Sequence, residues 1–520
     1  MGKLRYPVGI QSFSSIIEED YVYVDKTHLI ANLITEGKYI FLSRPRRFGK
    51  SLLLSTIHAF FDGRRDLFKG LAIDDMNMDW TPTPVLHFDF NSEDYSVEGG
   101  LQSLLKRQLA EFENIYGITA PADTIAGRFS QLIKKAAEAT GRKVAILVDE
   151  YDKPLLGIEE NPELYEKNQQ LLKSFFSNLK SMDEHIRFAM LTGVARFSKV
   201  SIFSDLNNLK DISMYERYHE ICGWTEDELT HYFQEGIEAL AKKRHESAHK
   251  TLDELRNYYD GYLFSEEGHR LYNPFSVLMA LDSLMIKPYW FDTGTPTFLA
   301  KRIKKSGINP EDLNGQSRNY EDLISVGLGT SNIVALMFQT GYLTIYSYDF
   351  RRGRYILRFP NREVEIGFAR NLLPLYAPST KKIGGTFSLE NFQDDLYDGE
   401  PESFMKRLEA MLKDLPGEDH RESTYRAVTY LLCLLSGTEA QAERHSYKGR
   451  SDLIVLTPYY IYLFEFKYNK SVREAMDQIH SRDYAGPYAM DPRKVYLIGA
   501  NFNEKKEPHA LEYEIEEVKR

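Results

Sequence analysis

The chain has 520 residues, 42% of them hydrophobic, and a formal net charge of −11. This length exceeds what a single hydrophobic core organises, so we expect a globular protein of several domains. The negative charge gives no long-range attraction to DNA or to an anionic membrane, so any contact with nucleic acid must be local. Cys222 and Cys433 are the only cysteines, which excludes a disulfide framework and a multi-cysteine zinc site.

The cellular location is predicted from features that the sequence lacks. The first twenty residues contain no continuous apolar segment of the kind that a secretory signal needs. No later stretch reaches the roughly 18 uncharged apolar residues of a membrane span. Two lone cysteines also suit a reducing compartment. These features predict a cytoplasmic protein without membrane association.

Short apolar runs alternate with amphipathic stretches over the first 215 residues. The runs at 39–42, 85–90 and 144–148 have the length of buried strands, whereas 101–116 and 168–182 have helical periodicity. Strands that alternate with helices are typical of a parallel sheet covered by helices on both faces. We therefore predict a multidomain α/β fold with a parallel-sheet core in residues 1–215.

Four further segments are predicted after this core. Residues 216–330 have mainly helical periodicity, which indicates a helical lid or a winged-helix region. Residues 331–376 form a connecting module with a hairpin around the turn Arg351-Arg352-Gly353-Arg354. Residues 377–385 have the composition of a linker. Residues 386–520 mix strand-like runs with helices and predict a second, smaller α/β domain.

A phosphate-binding loop is predicted directly after the first strand. The segment Arg44-Pro45-Arg46-Arg47-Phe48-Gly49-Lys50-Ser51 leads into a helix from Leu52 onward. In a P-loop, backbone N–H groups hold phosphates, the lysine reaches the terminal phosphates and the hydroxyl binds Mg²⁺. Lys50 and Ser51 would take these last two roles with ATP. The predicted nucleotide-binding residues are Arg46, Arg47, Phe48, Gly49, Lys50, Ser51 and Leu52.

This loop departs from the usual pattern at its first glycine, where Arg44 stands. The first turn of the loop is therefore expected to differ, and the three arginines of the segment could help to hold phosphate. A Gly-Lys-Ser tripeptide alone is also compatible with a helix that starts at a glycine and exposes its lysine to water. A second element, farther along the chain, decides between the two interpretations.

That second element is the apolar strand at 144–148, which ends in two acids. Asp149 is predicted to hold Mg²⁺ through water, and Glu150 to orient or deprotonate the attacking water. A solvated Asp-Glu turn is the alternative. Arg196 is predicted to sense or neutralise phosphate charge, as arginine fingers do, and a solvent-facing arginine is its alternative.

A pair of carboxylates is predicted in the C-terminal segment. Asp452 opens a strand and Glu465-Phe466-Lys467 closes the next, so a hairpin turning at Thr457-Pro458 would place Asp452 beside Glu465. Lys467 shares the face of Glu465, because side chains alternate along a strand. Two carboxylates would bind Mg²⁺ or Mn²⁺, and the lysine would act on a scissile phosphate. A solvated edge strand is the alternative.

These motifs together resemble the AAA-ATPase-like family of bacterial proteins that pair a P-loop core with a PD-(D/E)xK nuclease-like tail. The resemblance implies an AAA-like P-loop NTPase fold for residues 1–215 and a restriction-endonuclease-like fold for 386–520. It also implies that Thr192 acts as a sensor beside the γ-phosphate, and an ordinary turn former at a strand end is the alternative. The matching stretches of the core are residues 8–13, 23–27, 43–51, 148–153 and 191–194.

In the tail, Asp452, Glu465 and Lys467 match the D…ExK signature of these nucleases. The family also carries an acid on a preceding helix and a glutamine on a following one, for which the candidates are Glu422 or Glu443 and Gln478. The segment 386–520 contains 18 Lys and Arg against 25 Asp and Glu, a balance that does not favour a phosphate backbone. Nuclease activity is therefore a separate question from nuclease fold.

The function predicted from these observations is an ATPase whose nucleotide state gates a metal-dependent nuclease domain acting on DNA. A nucleotide-dependent switch or scaffold with an inactive tail is the first alternative. A plain metal nuclease, in which the P-loop only stabilises the fold, is the second. AAA-type cores often assemble as rings, so a homo-oligomer is a candidate assembly.

Overall fold

The computed structural model of the protein divides into two compact units, residues 1–293 with 317–363, and 294–316 with 364–520. The second unit therefore takes in 294–316 and 364–376, which the sequence assigned to earlier segments. Of the predicted linker, only Ala377 is described, and that boundary stays a prediction. The structure describes residues 5–158, 160–196, 208–293, 297–324, 332–377, 389–412, 422–442, 445–446, 449–503 and 510–519.

The first unit begins with helices and strands in alternation. They are α1 (Phe13–Glu18), α2 (Thr27–Glu36), β1 (Tyr39–Ser43), α3 (Lys50–Phe61), β2 (Val85–Asp89), α4 (Gly100–Ile115), α5 (Ile125–Thr140), β3 (Val144–Asp149), α6 (Pro162–Phe176), α7 (Asn178–Ser181), β4 (Ile186–Gly193) and β5 (Lys210–Asp211). The five strands form one parallel sheet in the order β2-β3-β4-β1-β5. The predicted α/β fold with a parallel-sheet core is confirmed.

The core of this sheet explains why its strands read as continuous apolar runs. Every residue of β3 is buried, because helices cover both faces of a parallel sheet. Phe88 of β2 packs edge-on against Phe129 of α5, which stacks on Phe175 of α6 with ring centroids 4.2 Å apart. All five strands run the same way, so β1, β3 and β4 end at one edge of the sheet. The predicted P-loop, acids and threonine follow or end these three strands.

A helical region and a hairpin complete the first unit. The helices are α8 (Glu226–Arg244), α9 (Ala248–Tyr259) and α10 (Pro274–Ser283). After α11 (Thr297–Ser306), which belongs to the second unit, come β6 (Gln316–Arg318), α12 (Tyr320–Ile324), α13 (Ile333–Gln339), β7 (Thr344–Asp349) and β8 (Arg354–Arg358). β7 and β8 form the expected antiparallel hairpin, and β6 joins them in a three-stranded sheet.

The second unit continues from α14 (Arg362–Tyr376). Its later elements are α15 (Leu389–Asp398), α16 (Pro401–Leu412), α17 (Glu422–Leu435), β9 (Glu439–Ala442), β10 (His445–Ser446), β11 (Gly449–Arg450), β12 (Leu453–Leu456), β13 (Tyr460–Tyr468), α18 (Val472–Ser481), β14 (Lys494–Asn503) and β15 (Ala510–Glu517). A mixed sheet has the order β15-β14-β13-β12-β9, in which only β13 and β14 pair in parallel.

The central strand β13 is covered on both faces, which fixes the directions of its side chains. Ile461 and Leu463 pack against Ile479 of α18. On the opposite face, Phe464 packs against Phe404 of α16, with ring centroids 6.2 Å apart. Because side chains alternate, Glu465 and Lys467 fall on the α18 face.

Candidate functional site

The predicted P-loop connects β1 to α3 through two residues with positive φ. Arg47 has a φ of 68° and Gly49, the residue before α3, has a φ of 92°. Glycine adopts this conformation without strain, whereas arginine does so at a cost. α3 therefore begins directly after the loop, and a helix N-terminus attracts an anion.

The Lys50 side chain fits the role of a phosphate ligand. It is only 4% exposed, and its ammonium donates to the carbonyl oxygens of Arg44 at 3.0 Å and Pro45 at 3.1 Å. Both partners are neutral, so the charge of Lys50 is not compensated by an acid in direct contact among the described residues. A buried ammonium beside helix N–H groups is a donor set that suits a phosphate.

Asp149 lies between two hydroxyl donors at the carboxyl edge of the sheet. Ser51 Oγ donates to its Oδ2 at 2.5 Å, and Thr192 Oγ1 donates to its Oδ1 at 2.6 Å. The ends of β3 and β4 and the first turn of α3 thus meet at one carboxylate. A serine hydroxyl and a carboxylate are oxygen ligands of the kind that Mg²⁺ prefers.

A cavity of about 540 Å³ opens beside the loop, a size in the range of small-molecule sites. Its polar wall includes Glu150, which has a φ of 51°, and Lys153. Trp224 and Phe275 contribute to an apolar wall on which a base could stack. All seven predicted loop residues line this cavity, namely Arg46, Arg47, Phe48, Gly49, Lys50, Ser51 and Leu52.

Arg44 does not face this cavity, contrary to the idea that all three arginines could hold phosphate. It is 1% exposed, and its guanidinium donates to the carbonyls of Ser213, Tyr218 and His219. The ring of Phe264 lies 4.2 Å from the guanidinium carbon. Arg44 therefore ties the phosphate loop to the chain that follows β5.

Thr192 and Arg196 occupy positions behind the lining of the cavity. Thr192 is fully buried and contacts Asp149 rather than the cavity. Arg196 lies 2.7 Å from Asp211, and its backbone N–H donates to Gln339. A phosphate-sensing role for Arg196 would require this ion pair to open.

Asp152 was not singled out from the sequence, although it lies close to the acids that were. Its Oδ2 accepts the N–H groups of Val194 at 2.9 Å and Ala195 at 2.6 Å. Burial raises the pKa of its carboxyl to about 7. Asp152 thus connects the end of β3 to the end of β4, and nothing in the local sequence distinguishes this role from that of a surface acid.

In the second unit, the predicted hairpin brings its acids together. The register pairs Leu453 with Phe464, so Asp452 lies opposite Glu465. Asp452 Oδ2 accepts the N–H of Phe466 at 2.8 Å. The Lys467 ammonium contacts Glu465 Oε1 directly. The three side chains of the predicted site are therefore neighbours.

Glu465 is the most enclosed of these groups. Burial, with the nearby charge of Asp452, raises the pKa of its carboxyl to about 7. Tyr484 donates to Glu465 Oε2 at 3.0 Å, and Gln478 donates to Tyr484 at 3.1 Å. Gln478 thus reaches the acid through a tyrosine that the sequence did not indicate.

One further charge adjoins Asp452, and a second lies beyond it. The Arg426 guanidinium lies 3.7 Å from Asp452 and donates to Glu311 at 2.6 Å. Glu311 is buried and was also missed, because it is far away in sequence. Of the candidates for an acid on a preceding helix, Glu422 begins α17, and Glu443 lies outside the described residues.

Comparisons with known proteins match one family to the part of the chain with the phosphate loop and another to the part with the paired carboxylates. The family described as a predicted AAA-ATPase matches residues 7–203, and the PD-(D/E)XK nuclease superfamily matches residues 420–510. The chain is 35% identical, over 517 residues and 97% of each chain, to an uncharacterized protein in the vnfD 5' region of Azotobacter chroococcum mcd 1. Within the described parts of the chain, no helix has the length and apolar character to cross a membrane.

Proposed function

The chain belongs to the predicted AAA-ATPase family and carries a PD-(D/E)XK nuclease superfamily domain, and from this premise we propose that it binds ATP with Mg²⁺ and hydrolyses it. The observation that carries the proposal is the convergence of Ser51 and Thr192 on Asp149 beside a buried Lys50. These are the charges and hydroxyls that a nucleotide–Mg²⁺ complex needs.

Each residue of the cavity has a distinct role in this proposal. Lys50 exchanges its two carbonyl partners for the terminal phosphates, and Ser51 and Asp149 hold Mg²⁺, which would neutralise phosphate charge. Glu150 lines the cavity one residue after Asp149 and orients or deprotonates the attacking water. Arg46 and Arg47 line the loop side, where they would add positive charge toward the phosphates.

Nucleotide binding and phosphate release test the proposal. We expect Lys50→Ala to lose ATP affinity, and Glu150→Gln to keep it while losing turnover. Ser51→Ala should weaken the Mg²⁺-dependent part of binding. Ser55→Ala is its matched control on α3, because Ser55 Oγ accepts the N–H of Phe13 instead. Unchanged ATP affinity in a folded Lys50→Ala variant would contradict the proposal.

We further propose that the second unit holds Mg²⁺ or Mn²⁺ at Asp452 and Glu465, that Lys467 acts on a DNA phosphate, and that nucleotide state gates the cleavage. The neighbouring positions of the three side chains support the metal site. The contacts of Arg426 and Lys467 with the two acids favour the second candidate, a nucleotide-dependent switch with an inactive tail, because both cations occupy places that a metal ion would need.

DNA cleavage assays separate these two functions. Plasmid, linear and single-stranded DNA are incubated with Mg²⁺ or Mn²⁺, with and without ATP. Gated cleavage predicts ATP-dependent degradation that Asp452→Ala and Lys467→Ala abolish and that Glu150→Gln alters. A switch predicts ATP turnover without degradation of any substrate. With either function, we propose that the protein works in a reducing cytoplasm, where its two buried free thiols would stay reduced.

A further inference from the structure

Two histidines and a glutamate of the first unit meet outside the lining of the nucleotide cavity. One ligand atom from each of His219, Glu220 and His269 lies within 4.8 Å of the others. Glu220 Oε1 is 3.3 Å from His219 Nε2 and 2.7 Å from His269 Nδ1. Ligand atoms around a tetrahedral Zn²⁺ are separated by roughly 3.4 Å, given metal–ligand distances near 2.0–2.2 Å. Small side-chain rotations would bring these three atoms to that spacing.

The hydrogen bonds of His219 leave its Nε2 as the atom that can bind a cation. Its Nδ1 lies 2.6 Å from the carbonyl oxygen of Glu216, and a carbonyl can only accept, so Nδ1 carries a proton. Nε2 accepts the backbone N–H of His269 at 3.2 Å. Metal-bound histidines commonly donate their other ring N–H to a backbone carbonyl in this way. A metal ion at Nε2 would replace the backbone N–H of His269 as the partner of this atom.

The backbone is built to bring His269 close to the buried ring of His219. Gly268 has a φ of 139°, and a Cβ at this position would lie 2.6 Å from His219 Nε2. Glycine is therefore the residue that permits the approach. His219 is 7% exposed, whereas the side chain of His269 is 78% exposed. The cluster is anchored on one side and open to incoming ions on the other.

We propose that His219, Glu220 and His269 form a binding site for one Zn²⁺ ion, with a fourth position open to water. Two imidazoles and one carboxylate are a known donor set for zinc, and they need no cysteine. Because imidazole ligands suit late first-row metals better than Mg²⁺, the site is distinct in chemistry from the two oxygen-rich sites of the proposed function.

The proposed zinc ligands His219 and Glu220 lie next in sequence to residues that line the nucleotide cavity. The residues directly after Glu220 are Ile221, Cys222 and Gly223, and they line the cavity. Arg44 of the phosphate loop donates to the carbonyl of His219. Zinc would hold this cavity wall against the chain around His269, in addition to the backbone bridge between Trp224 and Tyr272.

Zinc titration of the full chain without nucleotide tests the site. The protein is stripped of metal with a chelator, and Zn²⁺ is titrated against a chromophoric competitor in excess Mg²⁺, which occupies the oxygen sites. We expect one tightly bound Zn²⁺ per chain and a rise in Tm. His269→Ala and Glu220→Gln should each weaken affinity at least about tenfold and reduce the rise in Tm.

His249→Ala is the matched control. His249 is another exposed histidine, paired with Asp253 at 3.1 Å, and it has no third ligand in the described structure. It should keep wild-type zinc affinity. Equal zinc affinity in the wild type and folded His269→Ala, or no tight zinc binding by the wild type, would overturn the proposal and leave a hydrogen-bonded cluster that binds no metal. Because no nucleotide is present, neither result depends on ATPase activity.

Discussion

Replacing Thr192 by valine tests how the nucleotide site holds its central acid. Thr192 is fully buried, and its hydroxyl donates to Asp149 Oδ1 at 2.6 Å while Ser51 donates to Oδ2. Valine keeps the branched shape but removes the donor, so Asp149 retains one of these two hydroxyl partners. A hydrogen bond to a charged group contributes about 1.5–3 kcal/mol.

This free energy can be converted into an expected loss of turnover. At about 1.36 kcal/mol for each tenfold change in rate, the range corresponds to roughly ten- to 150-fold in kcat if the bond positions Asp149 for the reaction. Thr192→Ser is the matched control, because it keeps the hydroxyl and loses a buried methyl group, at about 0.5–1.5 kcal/mol of stability. We expect both variants to lower the free energy of unfolding and only Thr192→Val to lower kcat strongly.

Steady-state phosphate release over a range of Mg²⁺ concentrations is the assay. If Thr192 acts through Asp149, the Mg²⁺ concentration for half-maximal turnover should rise in Thr192→Val, because the carboxylate is held less firmly. A sensor that contacts only the γ-phosphate would lower kcat and leave the Mg²⁺ requirement unchanged. Wild-type turnover in Thr192→Val, or an equal loss in Thr192→Ser, would refute the reasoning.

Three other substitutions have expected outcomes that unfolding and binding experiments check. The pKa of Asp152 is raised to about 7, so its carboxyl stabilises the fold below its unfolded pKa of about 4 and loses that contribution as pH rises through 7. From this group, wild-type stability should therefore fall by about 3 kcal/mol at most between pH 5 and 8, and Asp152→Asn should lack this component. Arg426→Met leaves Glu311 buried without its cation, and should cost about 3–5 kcal/mol in denaturant unfolding unless Glu311→Gln accompanies it. Gly341→Ala places a Cβ 2.6 Å from the phosphate-loop proline and should weaken ATP binding, whereas Gly353→Ala, which meets only a tyrosine hydroxyl at 3.8 Å, should not.

Features that depend on neighbouring residues could be read from the sequence. The apolar run before Asp149 is a buried strand because each of its residues faces a helix or another strand. The hairpin around Thr457 brings Asp452 opposite Glu465, since register in a short hairpin follows from the length of its turn. The positions of the predicted groups in space therefore follow from local patterns, while their catalytic roles stay predictions.

Features that depend on distant segments could not be read in this way. Arg44 looked like part of an arginine-rich phosphate loop, but its partners at Ser213 and His219 lie far along the chain. His269 is 49 residues from Glu220 along the chain, so no spacing rule signals their contact. Residues 294–316 also belong to the second unit, although segments of the first unit precede and follow them in the chain. This grouping depends on tertiary packing, which the order of the sequence does not show.

The two oxygen-rich metal sites of the proposed function differ in what a divalent cation must displace, and this difference bears on gating. At Asp149 the partners are the neutral hydroxyls of Ser51 and Thr192, which can turn toward a metal ion without leaving a charge unpaired. At Glu465 the partner is the ammonium of Lys467, and a metal ion placed there would be repelled by it at low dielectric. Metal binding in the second unit therefore requires this ammonium to move, whereas metal binding in the first requires only hydroxyl rotation. A change that shifts Lys467 and the Arg426 guanidinium beside Asp452 would thus turn the carboxylate pair from closed ion pairs into a metal site, which gives the proposed gating a defined chemical switch.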